Sequence, residues 1–292
     1  MEDKFHMTLD ENLFLAKKIL VENIYNTAKL EGVNTTFPET EAILEGINVP
    51  NAKLDDIQVI LNLRDAWRDV LADVKSEVIN LEFIKKINGS VSRNESLKWG
   101  ELRSGNIGIS GTNHKPDVPA EAEVTERVDQ ILGDVTKSPT ERAIDISLYI
   151  MYSQLFWDGN KRTANLVANA VLIQNGSGVL SVPTDEIAEF NRRLTNYYDT
   201  GNDEAIKKFM YTKAVIDFET KNVPVNVLVN VPVNPTEQLV LDEISQNPAV
   251  TYEELAQKVG KTRKTVSRAV ASLKGRGLIV RRGSDKTGYW VV

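Results

Sequence analysis

Apolar residues recur every three or four positions along most of the chain, which is the spacing of amphipathic helices. Helices are predicted over residues 8–31, 39–47, 55–88 (as one helix or two), 138–155 and 162–175. The last of these is apolar nearly all round, so we expect it to be the buried central helix of its domain. The pattern predicts a mostly α-helical fold for the larger, N-terminal part of the chain.

The segment between residues 89 and 119 breaks this pattern. It contains a short alternation at Ile107 and Ile109, prolines at 116 and 119, and glycines at 100, 105, 108 and 111. Glycine-rich alternation followed by proline is typical of a β-hairpin and an extended loop. We therefore expect a hairpin between the helices.

Residues 236–292 have the element order of a winged helix. Three helices are predicted, beginning at Thr236, at Thr251 and at Thr262, and a pair of strands follows over 278–282 and 289–292. The preceding stretch has three prolines and no helical period, which is typical of an extended connector. The patterns predict a first domain over 1–218, a linker over 219–235 and a second domain over 236–292.

The charge of the chain is divided unevenly between these parts. The net charge is −6, but from Lys261 onward nine Lys and Arg face Asp285 alone, which gives +8 there and leaves −14 for the preceding 260 residues. A basic end on an acidic body is typical of a nucleic-acid-binding tail. The side chains expected to meet DNA lie on the third helix and the strand after it: Arg263, Lys264, Ser267, Arg268, Arg281 and Arg282.

Two further expectations concern partners of this tail and the location of the chain. A helix-turn-helix that makes only protein contacts is the alternative to a DNA-binding one, and modules of this kind often form homodimers. There is no cysteine for disulfides or thiolate chemistry, and no apolar run approaches the length of a membrane span. We expect a cytoplasmic protein without a membrane partner.

The candidate chemistry lies in residues 154–165, a polar loop between two predicted helices. The first N–H groups of a helix have no partner inside it, and the helix dipole adds partial positive charge, so an anion is favoured there. Lys161 and Arg162 add two cations, Gly159 lets a ligand approach the backbone, and Asp158 is a hard oxygen ligand for Mg²⁺ on a polyphosphate. The loop therefore predicts a site for a magnesium nucleotide; by composition alone, a solvated turn is the alternative.

The same loop resembles the signature of the Fic/Doc family, His-x-Phe-x-(Asp/Glu)-Gly-Asn-(Gly/Lys)-Arg, over the seven positions from Phe156 to Arg162. The stretch from Gly100 to Pro116 resembles the hairpin flap of that family, which pairs with an extended segment of a target protein. The resemblance implies a helical Fic domain with a β-hairpin flap, followed here by a winged helix. It also implies use of ATP and Mg²⁺ and transfer of AMP to a protein hydroxyl.

The resemblance assigns roles residue by residue. Asp158 would hold the metal, and the flap would contribute Gly108, Ile109, Gly111 and His114. Nucleotide and phosphate contacts would come from Phe156, Gly159, Asn160, Lys161 and Arg162. A lysine at position 161 resembles the Doc branch, in which phosphoryl transfer is known.

One departure from the family pattern concerns the general base. Gln154 stands where the family has its His, and Asn165 stands where a second Arg often closes the longer pattern. An amide cannot accept a proton at neutral pH, and loss of a general base typically costs ~100- to 10,000-fold in rate. The remaining candidate for a base is His114. Two hypotheses follow: an impaired transferase, or a DNA-binding regulator whose Fic domain senses nucleotide or binds a protein.

Some Fic proteins carry a self-inhibitory helix with the pattern (Ser/Thr)-x-x-x-Glu-(Gly/Asn). Glu45-Gly46 resembles the end of this pattern, although Glu41 occupies the position four residues before Glu45. Glu45 is therefore predicted as an inhibitory glutamate, with an ordinary surface glutamate before a helix-ending glycine as the alternative.

Overall fold

The computed structural model describes residues 1–72, 74–96, 98–218, 234–275, 278–282 and 288–291. The chain divides into two compact units. The first comprises Met1–Leu9 and Ile19–Ile216, and the second comprises Asp10–Lys18 and Asp217–Val292. The predicted linker over 219–235 lies almost wholly outside the described residues, and the predicted domain limits stay a prediction.

The elements follow one another along the chain as helices with a few short strands. In order they are α1 (Leu9–Lys18), α2 (Leu20–Leu30), α3 (Phe37–Leu44), α4 (Leu54–Ala72), α5 (Leu81–Val91), α6 (Glu121–Gly133), α7 (Pro139–Ser153), α8 (Asn160–Gln174), β1 (Val179–Leu180), α9 (Ile187–Thr200), α10 (Glu204–Phe209), β2 (Val215–Ile216), α11 (Pro235–Gln246), α12 (Tyr252–Val259), α13 (Arg263–Gly275), β3 (Val280–Arg282) and β4 (Tyr289–Val291). The expected mostly α-helical fold is confirmed. Among the described residues, no helix combines the length and the apolar character that a bilayer crossing needs.

Helix α8 is the centre of the first unit. Every residue from Arg162 to Ile173 is buried, and α4, α5 and α7 pack around the helix. Its buried amide at Asn169 donates to the carbonyl of Leu180 at 3.0 Å and accepts from the Leu180 N–H at 2.8 Å, which ties the helix to β1. The prediction of a buried central helix is confirmed.

Two predicted helices are divided in the structure. The pattern over 8–31 becomes α1 and α2, which are separated at Ile19, where ψ is 14°. The pattern over 55–88 becomes α4 and α5, because Asn80 caps a new helix by accepting from the Phe83 N–H at 3.0 Å. By contrast, Ser138 caps α7 as its Ser-Pro-x-Glu sequence predicts.

The predicted hairpin of the flap does not form a strand ladder. Residues 101–120 contain no helix or strand, and the chain turns at Ser110 and Gly111. The buried guanidinium of Arg103 holds the two arms together instead, since it donates to carbonyls on both: Gly105 on one arm, Pro116 and Asp117 on the other. These side-chain hydrogen bonds take the place of a backbone ladder.

The second unit contains the predicted winged helix. Asn234 and Thr251 each form a capping box, at the start of α11 and of α12. Strands β3 and β4 pair antiparallel, with Val280 opposite Val291. Trp290 is buried against the three helices, and its indole N–H donates to the Val250 carbonyl at 3.0 Å. The turn predicted between the strands lies mostly outside the described residues.

Candidate functional site

A cleft of about 760 Å³ opens in the first unit beside the loop between α7 and α8. Four parts of the chain form its walls: the end of α2, the turn of the flap, the loop itself and one face of α9. The described residues that line it are Glu31, Ile107, Gly108, Ile109, Ser110, Gln154, Trp157, Asp158, Gly159, Asn160, Lys161, Asn191, Leu194, Thr195 and Tyr198. The structure thus brings most of the predicted loop residues and part of the flap together.

Helix α5 fixes the backbone of this loop. The side chains of Asn88 and Ser92 both donate to the carbonyl of Asp158, at 3.0 and 3.1 Å. Gly159 has φ +73°, and a Cβ there would lie 2.2 Å from the Ser92 Oγ and 2.9 Å from a methyl group of Val91. The close approach of the loop to α5 therefore requires glycine, whatever ligand the loop binds.

Gln154 occupies the position of the family histidine, at the left-handed end of α7 with φ 45°. Its amide nitrogen donates to the carbonyl of Met151 at 2.6 Å and lies 3.4 Å from the hydroxyl of Tyr198. Its amide oxygen accepts from the Asn160 side chain at 3.1 Å. Burial raises the pKa of Tyr198, so that hydroxyl stays protonated at neutral pH. Neither Gln154 nor Tyr198 can take up a proton here.

The side chain of Asn160 braces the loop. It accepts from the Phe156 N–H at 2.9 Å and donates to the Phe156 carbonyl at 2.9 Å. The side chain of Phe156, for which a nucleotide contact is predicted, is fully buried in the core. Trp157, which the sequence prediction omitted, lines the cleft instead.

Arg162 is also directed away from the cleft. Its guanidinium is buried, donates to both carboxylate oxygens of Glu95 at 3.0 and 2.8 Å, and lies 3.5 Å from Asp158. Burial raises the pKa of Glu95, while the positive charge of Arg162 acts in the opposite direction. The guanidinium is packed beneath the loop, and Arg162 is not among the described residues that line the cleft, so its direct contact with phosphate stays a prediction.

Asp158 is the cleft residue suited to a metal ion. Its side chain is 47% exposed, and no group of three or more His, Cys, Asp or Glu in the described part of the chain could hold a metal by itself. One exposed carboxylate fits Mg²⁺ that takes its other ligands from phosphate and water, as this ion usually does. Asp158 thus fits the predicted role.

Lys161 faces the end of α2. Its ammonium donates to the Leu30 carbonyl at 3.1 Å and lies 3.7 Å from the carboxylate of Glu31, which lines the cleft. Gly32 ends α2 with φ +81°, its N–H donates to the Lys29 carbonyl, and the N–H of Val33 donates to the Ala28 carbonyl, which is a Schellman motif. The helix end therefore aims Glu31 at the cleft.

Glu31 meets the inhibitory pattern that the sequence analysis assigned to Glu45. Thr27-x-x-x-Glu31-Gly32 has both the hydroxyl residue and the glycine at the right spacing. Glu45 is exposed at the end of α3 and is not among the described residues that line the cleft. The spacing of Thr27, Glu31 and Gly32 was the sequence signal that points to Glu31 as a second candidate beside Glu45.

The remaining flap residues lie around the cleft. Gly108 and Ile109 line it, whereas Gly111 forms the turn with φ +84°. The His114 ring is 2.9 Å from the Tyr152 carbonyl through Nε2 and stacks on Tyr198 at 5.7 Å between centroids. His114 is not one of the described lining residues, so the geometry gives no support to it as the replacement base.

The predicted DNA-contacting residues divide into two groups. Those of α13 are exposed and, together with Tyr252, line one groove of about 530 Å³: Arg263, Lys264, Ser267 and Arg268. Arg281 instead packs over the ring of Trp290 at 4.9 Å, and Arg282 packs over Phe218 at 4.6 Å and pairs with Glu11. Neither of these two is among the described residues of the groove.

Comparisons with known proteins place two family matches on this chain. Residues 78–172 match the Fic/DOC family, and residues 232–288 match the MarR family. The protein adenylyltransferase Fic of Nematostella vectensis is 30% identical over 168 residues, which cover 55% of this chain and 39% of the relative. The protein adenylyltransferase fic-1 of Caenorhabditis elegans is 25% identical over 179 residues, covering 59% and 35%. The chain thus spans less than half the length of these relatives.

Solved structures agree with the fold. A fragment of Fic-1 from C. elegans (amino acids 134–508) has a TM-score of 0.57 at 17% identity, covering 88% of this chain and 64% of that one. A Fic family protein from Desulfovibrio desulfuricans G20 also has a TM-score of 0.57, at 16% identity, covering 93% and 86%. The chain therefore carries a Fic/DOC domain with a C-terminal winged-helix domain of the MarR family.

Proposed function

We propose that the Fic cleft binds ATP with Mg²⁺ but transfers AMP to a protein hydroxyl slowly or not at all. The observation that carries this proposal is Gln154, whose amide nitrogen and oxygen are both engaged, by Met151 and Asn160. The relatives named as adenylyltransferases support nucleotide use. Loss of the general base supports impaired transfer, since such a base typically contributes ~100- to 10,000-fold.

The anion site on this proposal is the beginning of α8. Helix geometry leaves the first N–H groups without intrahelical partners, and Gly159 precedes them as the cap without a side chain to cover them. Lys161 adds a positive charge at the rim of the cleft. Asp158 would hold Mg²⁺, which neutralises phosphate charge when bound. Arg162 supports the loop from beneath.

Glu31 would act as a gate on this site. Its carboxylate shares the cleft with the anion site, and like charges repel strongly where water is partly excluded. The Lys161 ammonium at 3.7 Å steadies the carboxylate in that position. We propose that nucleotide phosphates compete with Glu31 for Lys161. The target protein would dock along the flap.

Calorimetric titration with ATP and Mg²⁺ tests the nucleotide proposal. We expect the wild type to bind and Asp158→Asn to bind about tenfold more weakly, because the variant loses the charge that holds the metal. Asp129→Asn, an equal change at an exposed site of α6, serves as the matched control and should bind as the wild type does. Absence of binding by the wild type would refute the proposal.

A second function is supported by a separate observation, the exposed basic face of α13. We propose that this face enters the major groove of DNA, so that the chain acts as a DNA-binding regulator with a nucleotide-sensing Fic domain. MarR-family similarity over residues 232–288 supports this role. Homodimerisation of the winged helix would present two such faces.

Fluorescence anisotropy with double-stranded DNA at several salt concentrations tests this second proposal. The double variant Arg263→Ala with Arg268→Ala should weaken binding. The slope of log affinity against log salt concentration should also become less steep, by the amount expected for the loss of about two phosphate contacts. The matched control is Lys17→Ala with Lys258→Ala, because both lysines are exposed in the second unit outside the groove. Equal weakening by both pairs would mean that only overall charge matters.

A further inference from the structure

Arg162 is held by a network that lies outside the cleft. Its guanidinium donates to the Val91 carbonyl at 3.0 Å and to both oxygens of Glu95. Glu95 in turn accepts from the side chain of Asn62 at 2.6 Å. All three contacts are made by Nη1, so the cation is fixed on the α5 side, with Nη2 3.5 Å from Asp158.

The balance of charge in this network affects the ability of Asp158 to bind a metal ion. Glu95 and Asp158 are two carboxylates that share one guanidinium, so the cluster carries one net negative charge when all three groups are ionised. The shorter contacts of Arg162 go to Glu95, at 2.8 and 3.0 Å, and the longer one goes to Asp158. The Asp158 carboxylate keeps its charge available on the exposed side, where a divalent cation would bind.

We infer that Glu95 is a positioning residue for the metal-bound nucleotide. It holds Arg162 beneath the loop and supplies the second negative charge, so that Asp158 is not neutralised by Arg162. The inference rests on the proposed binding of Mg-ATP and adds to it a group that lies 63 positions before Asp158 in the chain and outside the signature loop.

A purely structural role for Glu95 makes a different prediction from this charge-balancing role. If Glu95 only anchored the loop, its substitution would weaken every ligand of the cleft. If Glu95 balances charge, its neutralisation removes one negative charge near an anion site. ATP without metal should then bind as well or better, while the advantage given by Mg²⁺ should fall. The two roles therefore predict opposite changes in the affinity for metal-free ATP: weaker binding for a structural role, and equal or tighter binding for a charge-balancing role.

The experiment is calorimetric titration of Glu95→Gln, which keeps the shape of the side chain, with ATP in Mg²⁺ and with ATP in a chelator. We divide the dissociation constant for ATP in chelator by that for ATP in Mg²⁺ and expect this ratio to fall by about tenfold in the variant. Metal-free ATP should bind to the variant no more weakly than to the wild type. Glu126→Gln is the control, because Glu126 is exposed on α6, outside the flap, and is not among the described residues that line the cleft. It should leave the ratio unchanged.

The outcomes separate this inference from the proposed function. Equal ratios in wild type and Glu95→Gln, or an equal loss for both forms of ATP, would overturn the inference and leave nucleotide binding intact. Failure of the wild type to bind Mg-ATP would overturn both. Thermal unfolding of each variant identifies a general loss of structure, and Glu95→Asp, which keeps the charge, should recover part of the ratio.

Discussion

Substitution of Gly159 by alanine tests how the signature loop is held. The new Cβ would lie 2.2 Å from the Ser92 Oγ and 2.9 Å from a Val91 methyl group, on a backbone with φ +73°. The left-handed conformation alone costs a non-glycine residue about 1–2 kcal/mol. Overpacking adds about 1–3 kcal/mol, since Val91 is fully buried and cannot move aside cheaply.

Gly111 provides the matched control for this prediction. It has φ +84°, and a Cβ there meets nothing within 4 Å, so Gly111→Ala carries the conformational cost without the collision. Denaturant unfolding of both variants should place Gly159→Ala below Gly111→Ala by about 1–3 kcal/mol in free energy of unfolding. Equal losses would refute the argument that packing against α5 requires glycine in the loop.

Two further predictions concern the flap and the gate. Arg103→Met should lower the free energy of unfolding, measured with denaturant, by about 3–5 kcal/mol, because carbonyls on both flap arms lose a buried charged donor. The control Arg68→Met, at a side chain that is 67% exposed, should lower it by less than about 1 kcal/mol. Glu31→Ala should tighten the binding of Mg-ATP about tenfold, as measured by calorimetry, because it removes a carboxylate from the cleft. Glu45→Ala should change nothing, and tighter binding in that variant alone would restore Glu45 as the inhibitory residue.

The helical pattern predicted much of the fold because local signals and tertiary packing agree in it. Residues 162–175 are apolar nearly all round, and α8 is buried accordingly. Ser138, Thr251 and Gly260 end or begin helices where their capping chemistry predicts. The winged helix followed from the same rules.

The flap could not be predicted in the same way. Two alternating isoleucines are too few to specify strand pairing, and the contacts that organise this segment come from one buried side chain, Arg103. Nothing local in the sequence distinguishes a surface arginine from one that binds carbonyls 13 and 50 residues away. The sequence pattern therefore predicts backbone hydrogen bonds of a hairpin, whereas the structure has side-chain hydrogen bonds from Arg103.

The orientation of side chains around the loop could not be predicted for a similar reason. The sequence shows the spacing of Thr27 and Glu31, but only the structure brings Glu31 beside Lys161, 130 residues later in the chain. It also shows that Phe156 and Arg162 face the core rather than the cleft. A motif gives the identity of residues, whereas the side of the loop to which each one turns is decided by packing.

The central claim is that Gln154, rather than the nucleotide site, limits AMP transfer. Its most direct test compares Glu31→Ala with Glu31→Ala carrying Gln154→His, each incubated in a cell lysate with Mg²⁺ and ATP labelled at the α-phosphate. We expect label in protein with the double variant at a rate at least ~100-fold above that of the single variant, since a general base is restored. Equal labelling by the two variants would contradict the account.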